Sequence, residues 1–78
     1  MKKFTAHFTP QAWVNDYAID VDLEGPDTFD VTDEINTDHD GIIPDDDYDL
    51  DDLHLAKAAP AWVREWSGPF YVRVHEET

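Results

Sequence analysis

The chain has 78 residues, with 19 Asp or Glu set against 5 Lys or Arg, a formal charge of −14. So short a chain makes one domain (1–78) around one small core. The charge excludes direct binding to nucleic-acid phosphates and to anionic lipid, both of which need a positive partner. The absence of cysteine removes disulfides, iron–sulfur clusters and thiolate zinc sites, and suits a reducing compartment.

No apolar run approaches the ~20 residues that span a bilayer. Lys2 and Lys3 resemble the start of a signal peptide, but Thr5, His7, Thr9 and Gln11 interrupt any apolar stretch after them. The expected location is the cytoplasm of a host cell. High net charge alone favours disorder, yet 41% of the residues are apolar and 13% aromatic. Large aromatic areas such as those of Trp13, Trp62 and Trp66 suffice to build a core.

Phe4, Ala6 and Phe8 alternate with Thr5, His7 and Thr9, which predicts a half-buried first strand. Pro10 is expected to stop it. Trp13, Tyr17, Ile19, Val21 and Leu23 then fall on one parity, opposite Val14, Asp16, Ala18, Asp20, Asp22 and Glu24. This pattern predicts one long strand with a greasy side and an acidic side, broken only by Asn15. Gly25-Pro26-Asp27 is a turn by composition, and Thr28 to Val31 a short third strand. Thr32 is placed to cap a brief helix, with Asp33 and Glu34 in its first turn.

The segment 33–52 is acidic and irregular by composition. Within it, Leu50 and Leu53 stand i, i+3 on a helical piece that starts near Asp49. Pro60 suits a second helix start, with Trp62, Val63 and Trp66 on its inner side, before Ser67-Gly68-Pro69 stops it. Trp62 and Trp66 are expected in the core, and Arg64 against an acid of the middle segment. Phe70, Val72 and Val74 alternate with Tyr71, Arg73 and His75 on a last strand. The expected class is α+β: a small antiparallel sheet of three to four strands with one or two short helices on one face.

Between Lys3 and Lys57 lie 16 acids, Asp16 to Asp52, and no cation. Residues two apart on a strand are about 6.6 Å from each other, similar to the step between neighbouring phosphates on one nucleic-acid strand. Asp16, Asp20 and Asp22, with Glu24, would make a row at this pitch. Asp45, Asp46, Asp47, Asp49, Asp51 and Asp52 could extend it. These ten residues form the expected partner-binding surface. A net charge beyond the ~2–8 that keeps a small domain soluble adds self-repulsion, which favours a functional use of the charge.

An alternative is calcium. The stretch from Asn36 to Asp47 resembles a degenerate EF-hand loop, with Asn36, Asp38, Asp40 and Asp47 at ligand positions 1, 3, 5 and 12 and Gly41 at 6. It departs from the pattern in its first ligand, in the short Asp at its last position and in Pro44. His7, His39, His54 and His75 are scattered, and Ser67 is the single serine. Nothing assembles a nucleophile and base, so no enzymatic activity and no cofactor are expected.

In length, charge and uninterrupted acids from Asp16 to Asp52, the chain resembles the small acidic inhibitors of phages and mobile elements, among them the DNA-mimic anti-CRISPR proteins. That group shares no motif. The resemblance implies a non-enzymatic inhibitor that occupies the basic groove of a nucleic-acid-binding protein, such as a CRISPR effector, and keeps nucleic acid out.

Overall fold

The structure is a computed structural model, and it describes residues 2–21, 25–45 and 47–77, with the backbone alone at 47–49. Its strands are β1 (Lys3–Val14), β2 (Tyr17–Asp20), β3 (Thr28–Asp30) and β4 (Phe70–Glu77). Two short α-helices, α1 (Thr32–Asp38) and α2 (Ala61–Arg64), bracket a 3-10 helix at Asp47–Leu55. All strand pairs are antiparallel and all involve β1. The expected α+β class, four strands under short helices, is the class observed.

β1 organises everything. Twelve residues at about 3.3 Å each reach about 40 Å, close to the 42 Å long axis of the molecule. Its first eight residues pair with β4, from Lys3↔Glu77 to Pro10↔Phe70. On the opposite edge Thr5 to His7 pair with β3, and Gln11 to Val14 with β2.

Pro10 does not end the strand. The Phe8 N–H donates to Asp27 O at 2.8 Å, so even-numbered residues of β1 turn their backbone groups to the β2/β3 edge. Pro10 shares that parity, and its missing N–H falls in the break between β2 and β3. Its carbonyl still accepts Val21 N–H at 3.0 Å. A proline is tolerated where no ladder bond is asked of it.

The long strand expected after Trp13 is instead a tight hairpin. Val14 faces Tyr17 across a two-residue turn, with Asn15 at φ 50° and Asp16 at φ 69°. Two positive φ values in succession match the type I′ turn that suits the twist of a hairpin. The turn also breaks the parity inferred from alternation. Trp13 lies on one face of the sheet and Tyr17 and Ile19 on the other, and none of them reaches the core.

The core occupies one face. Phe4, Ala6 and Phe8 of β1, Phe29 of β3 and Val72 of β4 meet Val31, Ile35, Leu50, Leu53 and Val63 from the layer above, with Ala56 and Ala59. Leu50 and Leu53 are buried at the expected i, i+3 spacing, on a 3-10 turn. Trp62 and Trp66 lie half-buried at the rim, where their indole N–H groups donate to the carbonyls of Pro26 and Pro69, each at 2.9 Å. The Trp62 ring stands edge-on to Phe8 at 5.4 Å. A polar atom that needs a partner holds each indole where it can find one.

Two local expectations change. Thr32 begins α1 but does not cap it: its Oγ1 accepts the Phe4 N–H at 3.0 Å, tying the helix to β1. Asp30 supplies the acceptor for the helix start, taking the Thr32 N–H at 2.7 Å. Among the described residues Arg64 meets no acid. Its guanidinium donates to the carbonyls of Ala56 (3.1 Å) and Lys57, closing the loop after the 3-10 helix. Among the described residues no helix is long and apolar enough to cross a membrane.

Candidate acidic interface

Register decides which side chains share the uncovered face of the sheet. β1 contributes Lys3, Thr5, His7, Thr9, Gln11 and Trp13; β4 contributes Tyr71, Arg73, His75 and Glu77. β2 and β3 add Ala18, Asp20, Thr28 and Asp30. The face is therefore mixed in charge, and only one member of the expected row stands on it. Asp20 is there, whereas Asp16 sits in the hairpin turn. Asp22 and Glu24 lie outside the described residues. Asp16 leaves the expected strand-pitch row because the chain reverses at Asn15-Asp16, and Asp20 is the one described member of that row on this face.

What does form is a pair of positioned carboxylates at the break between β2 and β3. Asp20 accepts the Gln11 amide at 3.0 Å and the Tyr71 phenol at 3.2 Å. Asp27 accepts His7 Nε2–H at 2.9 Å. Between them opens a polar cleft of about 300 Å³, walled by His7, Thr9, Asp20, Asp27, Trp62 and Tyr71. The Arg73 guanidinium lies over the Tyr71 ring at 5.3 Å. Two carboxylates beside two aromatic rings are the chemistry that suits an ammonium or guanidinium group, and Arg73 already supplies one over Tyr71. Sequence reading missed Asp27, His7 and Tyr71, since a hairpin had to bring Asp20 back beside them.

The remaining acids gather on the helical layer. Asp33, Asp38 and Asp40 are exposed along α1 and its exit, and Asp45 follows before the 3-10 helix. Asp52 is exposed and Asp51 half-buried. Asp47 and Asp49 are placed on that helix by their backbone alone, and Asp46 lies outside the described residues. His54 Nδ1–H donates to the Asp51 carbonyl at 2.6 Å, and its ring packs on Phe70 at 4.8 Å. His54 thus has a packing role.

Cations concentrate elsewhere. Lys2, Lys3 and Lys57 border a cleft of about 510 Å³ with Asp30, Asp33 and Glu34. Lys2 pairs with Glu76 at 3.3 Å, and the Lys57 N–H donates to Glu34 at 3.3 Å. Three of the five basic residues are used at this one end. Asp30, on its border, has its carboxyl held below the usual range by the Thr32 N–H first and the Thr32 hydroxyl second, with a smaller pull from Lys3.

Comparison with protein-family models, curated proteins and solved structures finds no match to this chain.

The calcium alternative gains nothing from the geometry. Asn36 and Asp38 are wound into α1, and the Asn36 amide donates to the Lys2 carbonyl at 3.3 Å. Asp40 follows at φ 53°, and Gly41 at φ 74° turns the chain tightly against the Asn36 side chain. Among the described residues, no three His, Asp or Glu side chains are grouped to hold a metal ion; the Asp47 side chain lies outside the description.

Proposed function

We propose that this protein is a non-enzymatic inhibitor that lays its carboxylates into the basic groove of a nucleic-acid-binding protein and excludes nucleic acid from it. The observation that carries the reading is the poverty of internal neutralisation. Among the described residues no charged side chain is buried, Glu76 alone is paired with a lysine or arginine, Lys2, and Asp27 is hydrogen-bonded to His7. The carboxylates of the described residues thus stay largely unneutralised for a cationic partner.

Carboxylates stand on both the hairpin side and the helical side, so a groove that wraps the protein suits it better than a flat basic patch. The cleft between Asp20 and Asp27 receives a Lys or Arg side chain of the partner. CRISPR effectors, restriction enzymes and DNA-packaging proteins offer grooves of this kind, in the cytoplasm of a host cell.

The test is capture of partners from host lysate at about 50 mM and about 500 mM NaCl, a range over which charge-dominated binding collapses. The captured protein is then challenged with duplex DNA. Support is binding that falls steeply with salt, is displaced by DNA and is lost when Asp20 and Asp27 are both replaced by Lys. Binding indifferent to salt and to DNA ends the proposal.

A further inference from the structure

Among the described residues, four of the six exposed large apolar side chains lie within seven positions of the hairpin: Trp13 (67% exposed), Val14 (47%), Tyr17 (74%) and Ile19 (48%). Among the described residues nothing covers the exposed side chains on either face of the hairpin. Its outer strand, β2, is exposed at all four residues. Tyr17 and Ile19 turn their backbone groups toward β1, as the Val14↔Tyr17 pairing across a two-residue turn and the Val21 N–H bond to Pro10 O require. Ala18 and Asp20 therefore point their N–H and C=O groups away from the sheet. Natural proteins blunt such an edge because it can accept another strand. Here it is left open beside exposed apolar side chains.

We infer that the free edge of β2 takes up an extended strand from a cationic partner protein. This rests on the reading of the protein as a binder of basic surfaces, and it says how that partner is gripped. The side chains fix the chemistry of the incoming strand. One face of β2 offers Asp20, which calls for Lys or Arg beside it; the other offers Tyr17 and Ile19, which call for apolar neighbours. A strand that alternates cationic and apolar residues satisfies both faces at once while its backbone bonds Ala18 and Asp20. A second copy of this chain fits poorly, since it brings another charge of −14 and a matching Asp16 and Asp20 to the same edge.

The probe is a blocked peptide of about eight residues alternating Lys and Val, compared with Lys–Gly and Glu–Val peptides of the same length and read by amide exchange and NMR shifts on the full chain. The Lys–Val peptide is expected to protect the Ala18 and Asp20 amides, and Tyr17→Ser with Ile19→Ser to weaken it about tenfold, while Lys–Gly binding changes by less than about twofold. Ala18→Pro removes an outward N–H without touching the ladder to β1, and is expected to abolish the protection. Near-ultraviolet signals from Trp62 and Trp66 report that each variant keeps its core.

If neither Lys-bearing peptide binds, the charge reading and this inference both fall. If Lys–Gly matches Lys–Val and Ala18 and Asp20 stay unprotected, only the strand docking falls. Protection of the same amides in a dimer of the free protein, seen by sedimentation, also overturns it.

Discussion

The Asp30 carboxylate accepts the Thr32 N–H at 2.7 Å, so the start of α1 is satisfied by a side chain from the end of β3. The link joins sheet to helix across Val31, which is fully buried between them. Removing it is expected to lower stability by about 1 kcal/mol, the usual worth of such an acceptor. Urea denaturation of Asp30→Ala against the parent protein at neutral pH measures this.

The same contact carries a pH signature. The folded Asp30 carboxyl lies below its ordinary value of 3.8, so its stabilising contribution is present above that value and disappears as pH falls through the lower folded value. The gap between parent and Asp30→Ala is therefore expected to be widest near neutrality and to close in strong acid. A constant gap from pH 7 down to about pH 2 would contradict an ionised cap.

Thr32 faces the other way, toward β1. Its hydroxyl accepts the Phe4 N–H at 3.0 Å in a partly buried position. Thr32→Val keeps the shape and strands that N–H, at an expected cost of about 1–3 kcal/mol. Thr32→Ser should restore most of the loss. Faster exchange of the Phe4 amide in the Val variant alone identifies the cause.

At the hairpin tip Asp16 holds φ 69°, a region that glycine enters without strain and Asp only tolerates. Asp16→Gly is expected to stabilise the hairpin by about 0.5–1 kcal/mol, and Asp16→Val to open it. Amide exchange at Val14 and Tyr17 reads both effects locally. The buried core should not respond.

Uncompensated charge of one sign strains the folded chain. Added NaCl, from about 10 mM to about 500 mM, is expected to raise the urea midpoint, because screening relieves repulsion among exposed carboxylates. A midpoint that stays level across this range would mean that the acids are already neutralised.

The buried half of the fold was legible in the residues. Alternation at Phe4, Ala6 and Phe8 and spacing at Leu50 and Leu53 each report local physics, and each element stands where that physics puts it; α2 ends at Arg64, ahead of the Ser67-Gly68-Pro69 stop expected for it. The errors share a different origin. Alternation from Trp13 to Leu23 reads as one strand with one greasy face, whereas the two-residue turn pairs Val14 with Tyr17 and so splits Trp13 from Tyr17 and Ile19. Only the tolerance of Asn15 and Asp16 for positive φ separates the two outcomes. Pro10 misled for a related reason: whether a proline breaks a strand depends on which edge its absent N–H faces, a property of the whole sheet.

The acidic surface was harder to read. Composition shows that carboxylates must be exposed, but which of them meet depends on topology. Asp20 joins Asp27, His7 and Tyr71 only after the chain has folded back along β1. Thr32, read as a cap by its residue type, was recruited by the strand beside it.

Every buried side chain among the described residues is apolar, and Asp30 is the carboxylate that ties the helical layer to the sheet. Most surface acids other than Asp30 can therefore be exchanged or moved along this short chain while the packing of Phe4, Phe8, Ile35 and Val63 stays as it is.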